Sequence, residues 1–220
     1  MKDLKILYED NHIIVVVKPF NVLSQSDDTK DIDMLTMIKE YLKEKYNKPG
    51  NVYLGLVHRL DRPVGGIMVF AKTSKAASRL SEQIRKKELH KKYYAVVENK
   101  VNNHDILEDK LLKDSKTNIV KVDPKGKESI LEYNLIKYDK DSNLSLVDIN
   151  LKTGRSHQIR VQFSSRNHPL YGDQRYNKNS KVGEQIALYA YQLSFYHPIT
   201  KEQLTFKEKI PNKYPFSIFK

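Results

Sequence analysis

The chain has 220 residues, 39 of them Lys or Arg against 27 Asp or Glu, for a formal net charge of +12. With 39% apolar residues in recurrent segments it can bury a core and is not disordered as a whole, and no apolar run approaches the ~20 residues that span a bilayer. The absence of cysteine excludes disulfides and thiolate metal sites, and Asp3, Glu9 and Asp10 stand where a secretory leader would be apolar, so a cytoplasmic location is expected.

In chain order, ILYEDNHIIVVVKP (6–19) reads as two short strands around an Asp-Asn turn, stopped at Pro19. SQSDDTKDI (24–32) is a polar loop. MLTMIKEYLKEKY (34–46) puts Leu35, Ile38 and Leu42 on one helical face with Asp33 as N-cap, and KPGN (48–51) ends it. IMVFAK (67–72) is a continuous apolar run, hence a central strand. Thr73 or Ser74 caps a second helix carrying Ala77, Leu80 and Ile84. HKKYYAVVE (90–98) is a strand, whereas 99–129 is expected to be polar and irregular with a turn at PKGK (124–127). ESILEYNLIKY (128–138) and NLSLVDINL (143–151) form a hairpin. Ser156 is expected to cap a short helix, HQIRVQFSS, with Ile159 and Phe163 inward. HPLYGDQRY (168–176) is a loop, and 186–198 with 203–211 make a final strand pair. Strands dominate without βαβ alternation. The fold class is therefore α+β, one domain over 1–220 built on a mostly antiparallel sheet flanked by a few helices and loops.

A surface this basic favours a polyanion, either nucleic acid or an anionic membrane. The kind of cation says more. Only eight of the 39 basic residues are arginines, and four of those sit in two short stretches, HRLDRPVGG (58–66) and KTGRSHQIR (152–160). Arginine offers a planar fork that pairs bidentately and stacks on bases, so a lysine-rich chain that spends arginine locally signals required geometry. Between Arg59 and Arg62, Asp61 would be kept ionised by its neighbours, as a nucleophile or base needs; taken alone it reads first as a turn aspartate capping an amide beside surface arginines. In the second stretch Gly154 permits a tight turn and the helix start can hold a phosphate. His157, Arg160 and Ser164 share one helical face, which taken alone reads as a solvated basic side.

Together, HRLDRPVGGIMVFAKT and KTGRSHQIRVQFSSRNHPLYGDQRY resemble the two main signature motifs of the RluA family of RNA pseudouridine synthases. LYEDNHIIVVVKPFNVLSQ, KKYYAVV and LYAYQLSFYHPIT resemble further segments of that family, in its order, nearly end to end. The resemblance implies an enzyme that converts uridine in RNA to pseudouridine without cofactor or metal. The bond from ring nitrogen to sugar is cut, the uracil turns, and its C5 carbon joins the same sugar carbon. It implies Asp61 as the catalytic residue, Arg160 as its ion-pair partner, Tyr93 as the contact to the uracil ring, and Arg59 as the residue that enters the RNA when the base leaves. His58, Arg155 and His157 are the accompanying substrate-binding candidates. A stacked uracil must be flipped out at a cost of a few kcal/mol; a flat cation can fill the gap, and a tyrosine can stack on the displaced ring. The expected partner is structured RNA, ribosomal or transfer, with no membrane and no metal, and a monomer is the default.

The chain departs from the family where Val64-Gly65-Gly66 replaces the usual Thr-Ser-Gly, losing a hydroxyl pair beside Asp61. The small RNA-binding domain that precedes many relatives is also not expected here, since the first catalytic-domain strand starts near residue 5. RNA selection would then rest on loops such as 24–33, 99–129 and 174–184. Two rival functions are a non-catalytic RNA-binding module on the same scaffold and a metal-free RNA-cleaving enzyme using His58 and His157. The seven histidines show no metal-ligand spacing.

Overall fold

The computed structural model describes residues 4–29 and 31–220, which leaves Lys30 of the 24–32 loop outside the described residues. In chain order the elements are β1 (Lys5–Glu9), β2 (Ile13–Lys18), α1 (Met34–Lys45), β3 (Gly55–Leu56), β4 (Gly65–Ala71), α2 (Ser74–Arg85), β5 (His90–Glu98), β6 (His104–Lys113), β7 (Val120–Val122), β8 (Lys127–Asp139), β9 (Leu144–Leu151), α3 (Gln158–Ser164), β10 (Leu188–Tyr196) and β11 (Gln203–Lys207), closed by a 3-10 turn at Phe216–Phe219. The chain groups into two compact units, Met1–Leu89 with Gln192–Glu208, and His90–Tyr191 with Lys209–Lys220.

In the first unit β1 pairs with β2 and β2 with β4, both antiparallel. The short β3 lies on β4, and residues 192–196 of β10 pair with β11. The apolar run of β4 is buried along its whole length. One face, Ile67, Val69 and Ala71, joins Ile13, Val15, Leu193 and Phe195 under Ala76 and Leu80 of α2. Both helix starts are chemically set. Asp33 caps α1, accepting from the amides of Leu35 (2.8 Å) and Thr36 (3.2 Å) and from the Thr36 hydroxyl (2.7 Å). Thr73 caps α2 through the Ala76 amide.

The second unit is built on an antiparallel sheet in the order β5-β9-β8-β6-β7. Here the expectation of an irregular 99–129 segment is corrected, because β6 and β7 lie within it. Only Leu107 and Leu111 of β6 are buried, and the charges between them mask the strand in the sequence. Ser156 is corrected too. His157 is the residue before α3, in a left-handed conformation (φ 50°), and no side chain caps the helix. The entry is ordered instead by Gln158, whose Oε1 accepts from the Arg155 amide (3.0 Å) and the Thr153 hydroxyl (2.9 Å). Residues 158–163 of α3 are all buried. Gln162 ties the helix down by donating to the Leu107 and Ser129 carbonyls and to Asp109.

Replacing Asp33 by Ala removes three acceptor contacts from the start of α1. The expected result is a loss of about 1–2 kcal/mol, seen as a lower urea midpoint at unchanged slope. Asp33→Asn should retain most of the stability, and equal midpoints for Asp33→Ala and wild type would show the cap to be dispensable.

Candidate active site

In the first unit the HRLDRPVGG stretch is a turn pinned from three sides. The buried Ser24 hydroxyl accepts the Leu60 amide (3.2 Å) and donates to the Leu60 carbonyl (2.8 Å), which fixes the backbone between Arg59 and Asp61. The Val64 amide donates to the Asp61 carbonyl (3.0 Å), closing a turn over 61–64 that leads directly into β4. From beneath, Lys18 at the end of β2 donates to the Arg62 carbonyl (3.0 Å).

Lys18 was not among the residues singled out by sequence. Its side chain is fully buried at 0% exposure. Its three N–H donors meet three backbone carbonyls, those of Pro19 (3.1 Å), Val22 (2.5 Å) and Arg62. Burial pushes its ammonium down to about 7; the Asp61 carboxylate opposes that fall and the Arg62 guanidinium adds to it. A buried cation thus sits within electrostatic reach of the half-buried Asp61. The sequence signal was present in the Lys-Pro end of the first hairpin, but nothing local shows that this one lysine of many is buried.

Arg59 is exposed and makes no hydrogen bond or ion pair among the described residues. Arg62 reaches the other way, to Asp31 of the polar loop (2.6 Å), and both partners are about half exposed, so the pair contributes little. His58 is buried, and its Nε2 accepts the Val69 amide of β4 (3.1 Å). That bond makes Nε2 the unprotonated nitrogen and gives the ring a place in the fold.

In the second unit the KTGRSHQIR stretch meets the YGDQRY loop. Arg160 is buried and donates through Nε (2.8 Å) and Nη2 (2.7 Å) to the two carboxylate oxygens of Asp173. Asp173 is 1% exposed and also accepts the Arg175 and Tyr176 amides. Its neighbour Gly172 has φ +71°, and a Cβ there would lie 2.3 Å from the Gln185 carbonyl oxygen, so the turn that presents Asp173 needs glycine. The Arg160 guanidinium lies over the Tyr176 ring, 5.1 Å from its centroid. The Tyr176 hydroxyl is 2.7 Å from His157 Nδ1 and accepts the Val120 amide of β7. Ser164 donates to the Tyr176 carbonyl (2.7 Å). His157, Arg160 and Ser164 do share a face, as their spacing indicated, but it packs on residues 173–176 and is not solvated. Asp173 is the member that sequence inspection missed. Its one signal is that an arginine on a helix buried all round requires a nearby carboxylate, and YGDQRY holds the nearest candidate.

Tyr93 on β5 is buried opposite Ile149. Tyr94, on the other face, stacks on Tyr191 (centroids 3.8 Å, interplanar 11°), whose hydroxyl donates to Asp148 (2.9 Å). Tyr94 is therefore committed to packing, which leaves Tyr93 as the candidate ring contact of the pair. Arg155 is exposed, with Nε donating to the Glu128 carbonyl (2.9 Å).

Comparison with known proteins defines the class. The sequence pattern described as RNA pseudouridylate synthase matches residues 12–165, so the chain belongs to the RNA pseudouridylate synthase family. Within it the similarity is of the RluA type. The chain is 37% identical over 218 residues to ribosomal large subunit pseudouridine synthase C of Buchnera aphidicola subsp. Baizongia pistaciae, covering 90% of this chain and 64% of that one. It is 32% identical over 223 residues to ribosomal large subunit pseudouridine synthase D of Zymomonas mobilis, covering 94% and 69%. The chain thus spans about two thirds of the length of these relatives. In fold it matches human RNA pseudouridylate synthase domain containing 4 with a TM-score of 0.80 at 19% identity, covering 97% of this chain and 91% of that one. Among the described residues no helix is long and apolar enough to cross a membrane.

Two measurements check the buried charges. Asp173→Ala removes the carboxylate that holds the buried Arg160 guanidinium through both its oxygens and should cost about 3–5 kcal/mol, whereas the double variant Arg160→Met/Asp173→Leu, which removes both charges of this pair, should recover much of that loss in urea melts. A double variant no more stable than Asp173→Ala would contradict this account. For Lys18 the folded-state value lies below the ordinary 10.5. The unfolded chain therefore binds more protons between about pH 7 and 10.5, and this group makes stability rise with pH across that window. Lys18→Gln, whose amide can still donate to the carbonyls, should lack that part of the slope. Parallel stability–pH curves for the two proteins would refute the assignment.

Proposed function

We propose that this chain isomerises uridine to pseudouridine in structured RNA, with both compact units serving one catalytic domain over 1–220. The observation that carries the proposal is the pinned turn over 61–64, which holds a half-buried carboxylate within electrostatic reach of a buried ammonium and leaves Arg59 exposed, with no hydrogen bond or ion pair among the described residues. A turn aspartate kept only for capping has no need of a buried cation within reach. Ribosomal large-subunit RNA is the first substrate to test, because the relatives named above are ribosomal large subunit enzymes; transfer RNA is the second. A cytoplasmic monomer is the working state.

Each residue then has a role. Arg59 fills the space left in the RNA as the target base flips, offsetting part of the unstacking cost. Tyr93 receives the displaced ring. Asp61 is the catalytic carboxylate, and Arg160 is its ion-pair partner, drawing on N–H donors not committed to Asp173. His157 and Arg155 flank the RNA-facing side of the same motif, while His58 supports the turn from within the fold. The chemistry is an exchange on one sugar carbon. The bond from C1′ to N1 breaks, the bond from C1′ to C5 forms, N1 gains a proton and C5 loses one. Atoms balance without oxidant, cofactor or metal, and the product keeps the mass of the substrate.

Asp61→Ala should abolish pseudouridine formation in a ribosomal RNA transcript, read by carbodiimide mapping, while RNA affinity stays within about threefold of wild type. If the variant retains activity, the catalytic assignment is wrong. If wild type shortens the RNA and makes no pseudouridine, the function is cleavage instead.

A further inference from the structure

The second unit contains a cleft of about 430 Å³ in which Arg155 alone has a role proposed above. It lies between the β6–β7 hairpin, the turn that enters β8, and the loop before α3. Its lining includes Lys113, Lys125, Lys127, Arg155 and Ser156, with Leu111 as floor. All four cations are exposed, and none has a carboxylate partner among the described residues. Other lysines of this unit are neutralised: Lys92 by Asp148, Lys121 by Asp123 and Lys152 by Glu132. The carboxylates nearest the cleft in sequence are otherwise engaged or stay out of it. Asp114 accepts the Lys116 and Thr117 amides of its own turn, Asp123 accepts the Lys125 amide and pairs with Lys121, and Glu128 is not part of the lining.

The backbone is shaped to bring these charges together. A Cβ on Gly126 would lie 2.4 Å from the Leu111 carbonyl carbon, so only glycine lets the 123–127 turn sit against β6 with Lys125 and Lys127 on either side. The Glu128 carbonyl holds Arg155 by Nε, and the terminal guanidinium nitrogens make no hydrogen bond among the described residues. Four like charges in one concavity repel one another unless an anion joins them. A planar guanidinium with a serine hydroxyl beside it offers directed donors, where the lysines offer point charges.

Resting on the reading of RNA as ligand, we propose that this cleft binds phosphodiester groups of the RNA strand outside the target uridine. It is a docking groove that raises affinity and takes no part in the chemistry. The β6–β7 hairpin forms one of its walls, and Tyr176 joins that hairpin to the Arg160 cluster through the Val120 amide.

The test compares two triple variants of equal charge change. Lys113→Ala/Lys125→Ala/Lys127→Ala empties the cleft, and Lys39→Ala/Lys43→Ala/Lys75→Ala removes three exposed lysines of the first unit. Binding of a ribosomal RNA transcript is followed by fluorescence anisotropy from 50 to 300 mM salt. The cleft variant should bind about tenfold or more weakly, with the slope of log affinity against log salt reduced by about 2, since each lost phosphate contact removes about 0.7–0.9. The control should stay within about threefold. In turnover assays the cleft variant should raise KM and keep kcat. Equal losses in both variants, or none in the cleft variant, would overturn the proposal. So would unchanged RNA affinity together with lost binding to phosphatidylserine vesicles, which would assign the cleft to a membrane surface. If wild type forms no pseudouridine, the proposed function fails, and the anisotropy comparison still decides the cleft.

Discussion

Two cations taken out of water set the conditions under which the rest of this structure holds. Burying an ion costs several kcal/mol unless every donor finds an acceptor. The two units meet that cost differently. Lys18 is met by backbone carbonyls alone, one to each N–H, and two of those carbonyls belong to the segment that follows it directly. Arg160 is met by a carboxylate gripped through both oxygens, with an aromatic face beneath the guanidinium. In both cases satisfying the cation fixes a loop that would otherwise wander. Lys18 fixes the turn carrying Asp61, and Arg160 fixes residues 172–176 against α3. In each unit the candidate residues are therefore held by electrostatics beneath them as much as by the apolar core around them.

This division explains what could be read from the sequence. Elements whose signals are local were legible: the 6–19 hairpin, the two capped helices, the apolar run of β4, and the β8–β9 hairpin with its polar turn. The motif residues Asp61, Arg160, Tyr93 and Arg59 were nameable because they lie in long, ordered motifs. What escaped depends on partners distant in the chain. β6 carries Asp105, Glu108, Asp109 and Lys110 among its apolar residues and looks like a loop until β8 pairs with it residue by residue. The helix α3 reads as amphipathic because His157 and Arg160 are polar types, yet its polar side chains are satisfied internally: Gln158 donates to Gln162, Arg160 to Asp173 and Ser164 to the Tyr176 carbonyl. Hydropathy patterns cannot separate a solvated polar face from one satisfied internally. The same blindness hid Lys18 among 31 lysines, and it could not show that the His58 ring accepts the Val69 amide.

The loss of Thr-Ser-Gly after Asp61 can be judged on these terms. Hydroxyls beside a catalytic carboxylate can brace the loop that bears it, and Val64-Gly65-Gly66 offers none. The turn here is braced by other means. Ser24 holds Leu60 on one side, the Val64 amide closes onto Asp61, and the Lys18 ammonium takes the Arg62 carbonyl. Val64 itself is buried, so its side chain adds apolar anchoring where a hydroxyl would need a partner. Gly66 stands at φ +129°, a conformation β-branched and other L residues rarely adopt, and it pairs with Lys18 in the β2–β4 ladder. The backbone that positions Asp61 and the backbone that positions Lys18 are thus neighbours in one ladder. A change at Gly66 would displace the ammonium and the turn together, which makes the glycine a constraint on the site even though it carries no chemistry of its own.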